Sequence, residues 1–143
     1  MNVAAERDGE TFFSDNTPDK KTLKNWEKDG DYTITTIATD LAGNASEKTV
    51  FKFVKDSTKP KLDIRGVKEG SYYNKTQTVQ FTALERYFKT NKVRVLITKE
   101  LKGNESEIPY EFTSDSEKTT RYFNAKDEGK YNIKFTATDE AGN

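Results

Sequence analysis

The chain has 143 residues, with 24 Lys plus Arg against 24 Asp plus Glu, so it carries no basic excess that would recommend nucleic acid or an anionic membrane as partner. It has no Cys and no His, which excludes a disulfide scaffold, thiolate and imidazole zinc sites, and Ser-His-Asp or Cys-His catalytic machinery. Only 32% of residues are hydrophobic and 34% are charged, yet 7 Tyr and 9 Phe are more aromatics than a disordered segment holds, and no apolar run approaches the roughly 18 residues of a spanning helix.

Taken in order, residues 1–10 show little pattern and are expected to be loose. Residues 11–44 line up with 110–143, which sets Phe13 on Phe112 and Asn25 on Asn124. Thr17-Pro18-Asp19 could open a short helical turn, whereas the second copy favours a strand over 23–26. Trp26, the only Trp, reads as a side chain buried against a sheet or as a ligand-stacking ring.

Residues 30–44 then carry the main signal. They align without a gap on residues 129–143, and Gly, Tyr, Ile, Ala, Thr, Asp, Ala, Gly and Asn recur at matching positions. Self-similarity at a fixed offset, here 99 residues, marks an array. Tyr32, Ile34, Thr36, Ala38 and Asp40 alternate with Thr33, Thr35, Ile37 and Thr39, and Tyr131, Ile133, Phe135 and Ala137 alternate with Asn132, Lys134 and Thr136. Period-two alternation in a Thr/Tyr/Ile/Phe-rich run predicts a half-buried strand. Gly43-Asn44 suits a tight turn, and Thr49, Phe51 and Phe53 against Val50, Lys52 and Val54 predict the returning strand.

Residues 55–60 form a linker ended by Pro60. Beyond it the chain runs through Leu62, Ile64 and Val67 to a turn at Glu69-Gly70-Ser71. Strands follow over 76–83 (Val79, Phe81 and Ala83 inward) and 92–99 (Val93, Val95 and Ile97 inward). A turn at Lys102-Gly103-Asn104 leads to strands over 108–113, 119–125 and 130–139. Seven or so short strands with regular turn signals predict a sandwich.

Asp127-Glu128-Gly129-Lys130-Tyr131 matches the Asp-x-Gly-x-Tyr corner that precedes strand F of immunoglobulin-like sandwiches, with Ile133 and Ile34 where a cysteine would stand; the first copy has Lys28 in place of the Asp. With Gly-x-Tyr…Ala-Thr-Asp-x-Ala-Gly-Asn twice, Asp56-Ser57-Thr58-Lys59-Pro60, Ser71-Tyr72-Tyr73-Asn74-Lys75-Thr76 and Glu85-Arg86-Tyr87-Phe88, the chain resembles the bacterial Ig-like repeats of Gram-positive surface and secreted proteins. The resemblance implies an all-β, immunoglobulin-like antiparallel β-sandwich: residues 1–56 as the C-terminal part of one module and 57–143 as a module lacking its last strand. It implies an extracellular or cell-surface location and an internal piece of a longer parent, with Met1 an expression start. Neighbouring Ig-like modules are the implied partners, with a glycan or host protein as further candidates. A fold of this kind hosts many roles. A non-catalytic spacer, with a part in adhesion, stands against an accessory carbohydrate- or protein-binding module of a secreted glycosidase or other enzyme.

Both modules are cut open. A strand of eight residues spans roughly 27 Å, and residues 56–59 reach at most about 14 Å, so residues 45–55 are not expected to close the second module of their own chain. Exposed sheet edges predict edge-paired or swapped self-association.

Three constellations are candidate sites. Asp40, Asn44 and Asp56 could supply hard oxygens to calcium at a junction between modules, or Asp40 and Asn44 could bond the backbone of their own turn. Tyr72, Tyr73 and Tyr87, with Phe88, could gather at one pole and stack on sugars, or plug the sandwich end. Glu85 could promote an intramolecular Lys–Asn amide, or be a loop acid. Asn44-Ala45-Ser46, Asn74-Lys75-Thr76 and Asn104-Glu105-Ser106 match the glycosylation sequon and read as Asn-rich turns.

Overall fold

The computed structural model describes residues 1–16, 26–87, 93–114 and 116–143. The expected helical turn at Thr17, the strand over 23–25, Asn25 and Phe88 lie outside the described residues. Among the described residues ten strands follow one another: β1 (Asn2–Arg7), β2 (Glu10–Asp15), β3 (Gly30–Ile37), β4 (Thr49–Lys55), β5 (Lys61–Arg65), β6 (Gln77–Leu84), β7 (Val93–Leu101), β8 (Asn104–Ile108), β9 (Lys118–Ala125) and β10 (Lys130–Ala137). Every pairing is antiparallel, and there is no helix among the described residues. The chain divides into two compact units, Met1–Ser57 and Thr58–Asn143.

The described residues of the second unit form an immunoglobulin-like sandwich of two three-stranded sheets, ordered β5-β6-β9 and β10-β7-β8. Period-two alternation puts Val79, Phe81 and Ala83 of β6 and Val93, Val95 and Ile97 of β7 in the interior, as their spacing predicts. Val79, Phe81, Val95 and Ile97 form the buried centre, and Phe123, Tyr131, Ile133 and Phe135 pack on it from β9 and β10. Phe81 has no solvent exposure and meets Phe135 edge-on, with ring centres 5.4 Å apart. β5, the edge strand beside β6, is exposed along its length.

One boundary moves. The strand expected over 108–113 lies instead at Asn104–Ile108, paired with β7 so that Ile108 faces Ile97. Pro109 is the reason: it has no N–H for the ladder, and the strand ends at the residue before it. Tyr110 and Phe112 still reach the core from the segment that follows. The Tyr110 hydroxyl donates to the Tyr122 carbonyl at 2.9 Å.

The described residues of the first unit form one four-stranded sheet, ordered β2-β1-β3-β4. Here the expectation of a loose segment over 1–10 is corrected. β1 is an interior strand, bonded to β2 on one side and β3 on the other, with Val3 and Ala5 buried. Asp8 and Gly9 make the connection with φ of 51° and 83°, the left-handed pair that a two-residue hairpin turn requires. Lys102 and Gly103 (φ 53° and 80°) turn β7 into β8 in the same way.

The ladder also corrects the alignment of Phe13 with Phe112. Phe13 stands opposite Ala5, as Ile108 stands opposite Ile97, so β2 corresponds to β8. β4 lies on β3 with Tyr32 facing Phe53 and Ile34 facing Phe51. Trp26 packs among Phe12, Tyr32 and Phe53, with ring centres 4.9 to 5.5 Å away. Tyr32 is buried and stacks on Phe53 at 5.0 Å.

Candidate functional site

The two repeated stretches share their chemistry at both ends. At the entry, the Tyr32 hydroxyl donates to the Lys28 carbonyl at 2.7 Å, and the Tyr131 hydroxyl donates to the Asp127 carbonyl at 2.9 Å. The tyrosine corner is thus present twice, including the copy whose first residue is Lys28. The corner itself takes only the backbone carbonyl at that position; the Asp127 side chain pairs separately with Lys99 Nζ at 3.2 Å. The glycine two residues before each Tyr lies under a long side chain. A Cβ there would come within 2.6 Å of Arg7 Cγ at Gly30 and 2.7 Å of Lys99 Cγ at Gly129.

At the exit, Asp40 takes both donors of one asparagine. Its Oδ1 accepts from the Asn44 N–H at 2.8 Å and its Oδ2 from Asn44 Nδ2 at 2.9 Å. Asp139 and Asn143 repeat the arrangement at 2.8 and 2.9 Å. The Asn44 side-chain amide and then its backbone N–H hold the Asp40 carboxyl below the ordinary range; weaker help comes from the Ala42 and Gly43 N–H groups, against a small desolvation effect. Burial pushes the Asp139 carboxyl up, and the Asn143 amide, the Asn143 N–H and the Gly142 and Ala141 N–H groups outweigh it, so it too lies below the ordinary value.

The expected cation set is not brought together. Asp40 follows β3, beyond the Thr36–Thr49 pair, and Asp56 follows β4, beyond the Gly30–Lys55 pair. Seven paired residues separate the two ends, on the order of 20 Å at about 3.4 Å per residue. Asp40 and Asn44 bind each other, and Asp56 stands at the far end of the same hairpin.

The tyrosines are likewise dispersed. Tyr72 and Tyr73 precede β6 and Tyr87 follows it, so the length of an eight-residue strand lies between them. Tyr72 is fully exposed; Tyr73 is half-exposed, and its hydroxyl accepts from the Lys68 N–H at 2.8 Å. Tyr87 is half-buried, with the Arg86 guanidinium 5.1 Å from its ring centre.

Glu85, which follows β6, is buried, with 5% of its surface exposed. Its N–H donates to the Glu117 carbonyl and its Oε1 accepts from the Tyr87 N–H at 3.1 Å, so the acid closes its own turn. Sequence spacing missed its neighbour: an oxygen of Glu85 lies within 4.8 Å of one of Asp139, which is buried after β10. The Glu140 N–H reaches the Tyr87 carbonyl at 3.4 Å, joining the two loops. No Lys or Asn side chain bonds to Glu85 among the hydrogen bonds of the described residues, so the structure adds no support for an amide cross-link.

Compared with family models, curated proteins and solved structures, the chain has no match.

Proposed function

We propose that this chain is a stretch of a tandem immunoglobulin-like array on a bacterial surface or secreted protein, and that its work is spatial rather than catalytic. Rigid modules on a short Pro-bearing linker hold a neighbouring domain at a distance. The observation that carries this proposal is the repeated strand with both ends locked: a tyrosine corner at 2.7 and 2.9 Å at the entry and an Asp–Asn clamp at the exit, 99 residues apart. A spacer needs ends that keep their geometry from module to module, and these bonds supply it without any ligand. The lack of His and Cys in the chain agrees with a non-catalytic role.

The test is the length of arrays built from one, two and four copies of the 99-residue period. A rigid spacer grows linearly in maximum dimension by small-angle scattering, by roughly 35–40 Å per period, a strand of about 27 Å plus its end loops. Growth with the square root of copy number is the signature of a flexible string and would overturn the proposal.

A second proposal, an accessory glycan-binding module, has one observation in its favour: Tyr72 is fully exposed on the loop before β6. An aromatic face held in solvent is the form that sugar stacking uses. Saturable binding on a glycan array, lost in Tyr72→Ala, would favour it over the spacer.

A further inference from the structure

The outer faces of the two sheets of the second unit are finished differently. On the β5-β6-β9 sheet the polar side chains bond to one another: Thr78 Oγ1 donates to Asn124 Oδ1 at 2.8 Å, Thr82 and Thr120 share a bond at 3.3 Å, and Arg65 pairs with Asp63. On the β10-β7-β8 sheet the outward positions carry the cations Arg94, Lys130 and Lys134 and the anions Glu100, Glu105 and Glu107. None of these six enters an ion pair or a side-chain hydrogen bond among the described residues. We infer that this face docks on the same face of a second copy of the chain, the two copies being related by a two-fold axis. The inference goes beyond the spacer proposal and does not depend on it.

The placement follows from the ladder. Val93, Val95 and Ile97 point into the core, so Arg94, Leu96, Thr98 and Glu100 point out. In register, Lys134 lies beside Leu96 and Lys130 beside Glu100 on one flank of β7. On the other flank Glu107 lies beside Thr98 and Glu105 beside Glu100. Charge is therefore sorted by strand. The β10 column is basic and the β8 column acidic, two strand spacings or about 10 Å apart. Leu96 and Thr98, both half-buried, form an uncharged centre between them on β7.

This sorting chooses the occupant. The three charges of each sign cancel, so the face as a whole does not attract a polyanion or a polycation. A patch that complements itself is what pairing about a two-fold axis needs. An axis lying along β7 sets the basic β10 column of each copy over the acidic β8 column of the other, so Lys130 and Lys134 meet Glu105 and Glu107 twice. Leu96 and Thr98 of the two copies meet at the centre. Stacked sheets cross at about 30°, which moves Arg94 and Glu100 off their own counterparts. Three strands about 4.8 Å apart and seven residues of about 3.4 Å each give a face on the order of 350 Å², below the roughly 800 Å² per partner of a standard interface. One pair of faces therefore binds weakly, and chains carrying several such modules side by side would add the contacts up.

The experiment follows self-association of the full 143-residue chain by sedimentation equilibrium, with NMR shifts read over the same concentration series. The expected result is a monomer–dimer equilibrium with a dissociation constant on the order of 0.1–1 mM at low salt. It should weaken about tenfold as salt rises to about 0.3 M, where the screening length falls well below the span of the face. Shifts that move with concentration should include the Leu96 methyls and the Thr98 amide. Two charge-reversed variants carry the decisive test: Glu105→Lys with Glu107→Lys makes the face basic throughout, and Lys130→Glu with Lys134→Glu makes it acidic throughout. All four side chains are exposed, and unchanged far-ultraviolet circular dichroism and melting confirm that each variant folds. Each alone should bind itself at least tenfold more weakly than the parent, and an equimolar mixture should associate again. If one variant fails to fold, self-association of the other decides. A strict monomer at about 2 mM in low salt overturns the inference, since two matched faces would be associated there. So does a dimer that either folded variant keeps, or a mixture of two folded variants that stays monomeric. Concentration-dependent shifts confined to β5 or to the first unit, with Leu96 and Thr98 unmoved, overturn it in favour of contact through an edge or another surface.

Discussion

Replacing Tyr32 by Phe isolates the tyrosine corner, because the ring and its contacts stay and only the hydroxyl goes. Tyr32 is 1% exposed; its ring stacks on Phe53 at 5.0 Å and meets Trp26 at 4.9 Å, and Phe retains both. What is lost is the 2.7 Å bond to the Lys28 carbonyl. A neutral hydrogen bond contributes about 0.5–1.5 kcal/mol net. Lys28 is itself exposed, so its carbonyl can be taken up by water, which holds the cost near 1 kcal/mol. With a urea m-value of about 1 kcal/mol/M, suitable for a small unit, the midpoint falls by roughly 1 M. Trp26 is the only Trp, and its fluorescence reports this unit selectively. Tyr32→Ala is the upper bracket: it empties the centre of the aromatic cluster and should cost about 3–5 kcal/mol. A Tyr32→Phe midpoint within about 0.2 M of the parent would refute the claim that the corner fixes the strand entry.

Phe81→Ala should cost about 3–5 kcal/mol and abolish the folded state of the second unit, seen as loss of the dispersed methyl signals of Val79, Val95 and Ile97; a cost under about 1 kcal/mol would mean that the core is not centred there. Gly66→Ala should destabilise far more than Gly70→Ala. Both have positive φ, 90° and 71°, but a Cβ on Gly66 would sit 2.0 Å from the Thr78 carbonyl oxygen, whereas one on Gly70 meets nothing within 4 Å; comparable melting shifts would contradict this. The folded carboxyls of Asp40 and Asp139 lie below the unfolded value of about 3.9. Their contribution is therefore complete above about pH 4 and is lost as pH falls through the lowered values. Urea midpoints taken from pH 7 down to pH 2.5 should drop at the acid end, and the Asp40→Ala, Asp139→Ala double variant should show a shallower drop.

The strands that were legible in the sequence are those whose inward residues are large. β3 and β10 announce themselves by Tyr, Ile and Phe at alternate positions, and β6 and β7 by Val, Phe and Ile. β1 does not, since its buried residues are only Val3 and Ala5, although it sits at the centre of its sheet. The sign that could have found it is the Asp8-Gly9 dipeptide, a two-residue hairpin turn by itself. β8 was misplaced because Tyr110 and Phe112 alternate like a strand while Pro109 forbids the ladder. The candidate sites were harder to place, because they depend on which end of a strand a loop occupies. Tyr73 and Tyr87 are close in sequence and lie beyond opposite ends of β6. Glu85 and Asp139 are far apart in sequence and close in space, because β6 and β10 end on the same side of the sandwich. Strand direction, which no local pattern carries, decides both.

The residues shared by the two copies also show what the repeat encodes. Gly, Tyr and Ile stand at its entry, and Ala, Thr, Asp, Ala, Gly and Asn at its exit. Between them Thr35, Thr36 and Ile37 face Lys134, Phe135 and Thr136 in the alignment, with no identity. The ends are fixed by hydrogen bonds that any module can use, and they come out the same in both units. The middle is fixed by what covers the sheet. Phe135 lies under Phe81 and Phe112, within a sandwich, and is large. Thr36 belongs to a unit whose described residues form one sheet, where the aromatic side chains gather around Tyr32 instead. Substitutions in the middle should therefore be exchanged between units only at the expense of packing, whereas the entry and exit segments should be interchangeable. Grafting residues 38–44 in place of 137–143 changes only Glu140, to Leu, and leaves the Asp–Asn clamp intact, while Phe135→Thr should cost the second unit about 2–4 kcal/mol through the space left beside Phe81.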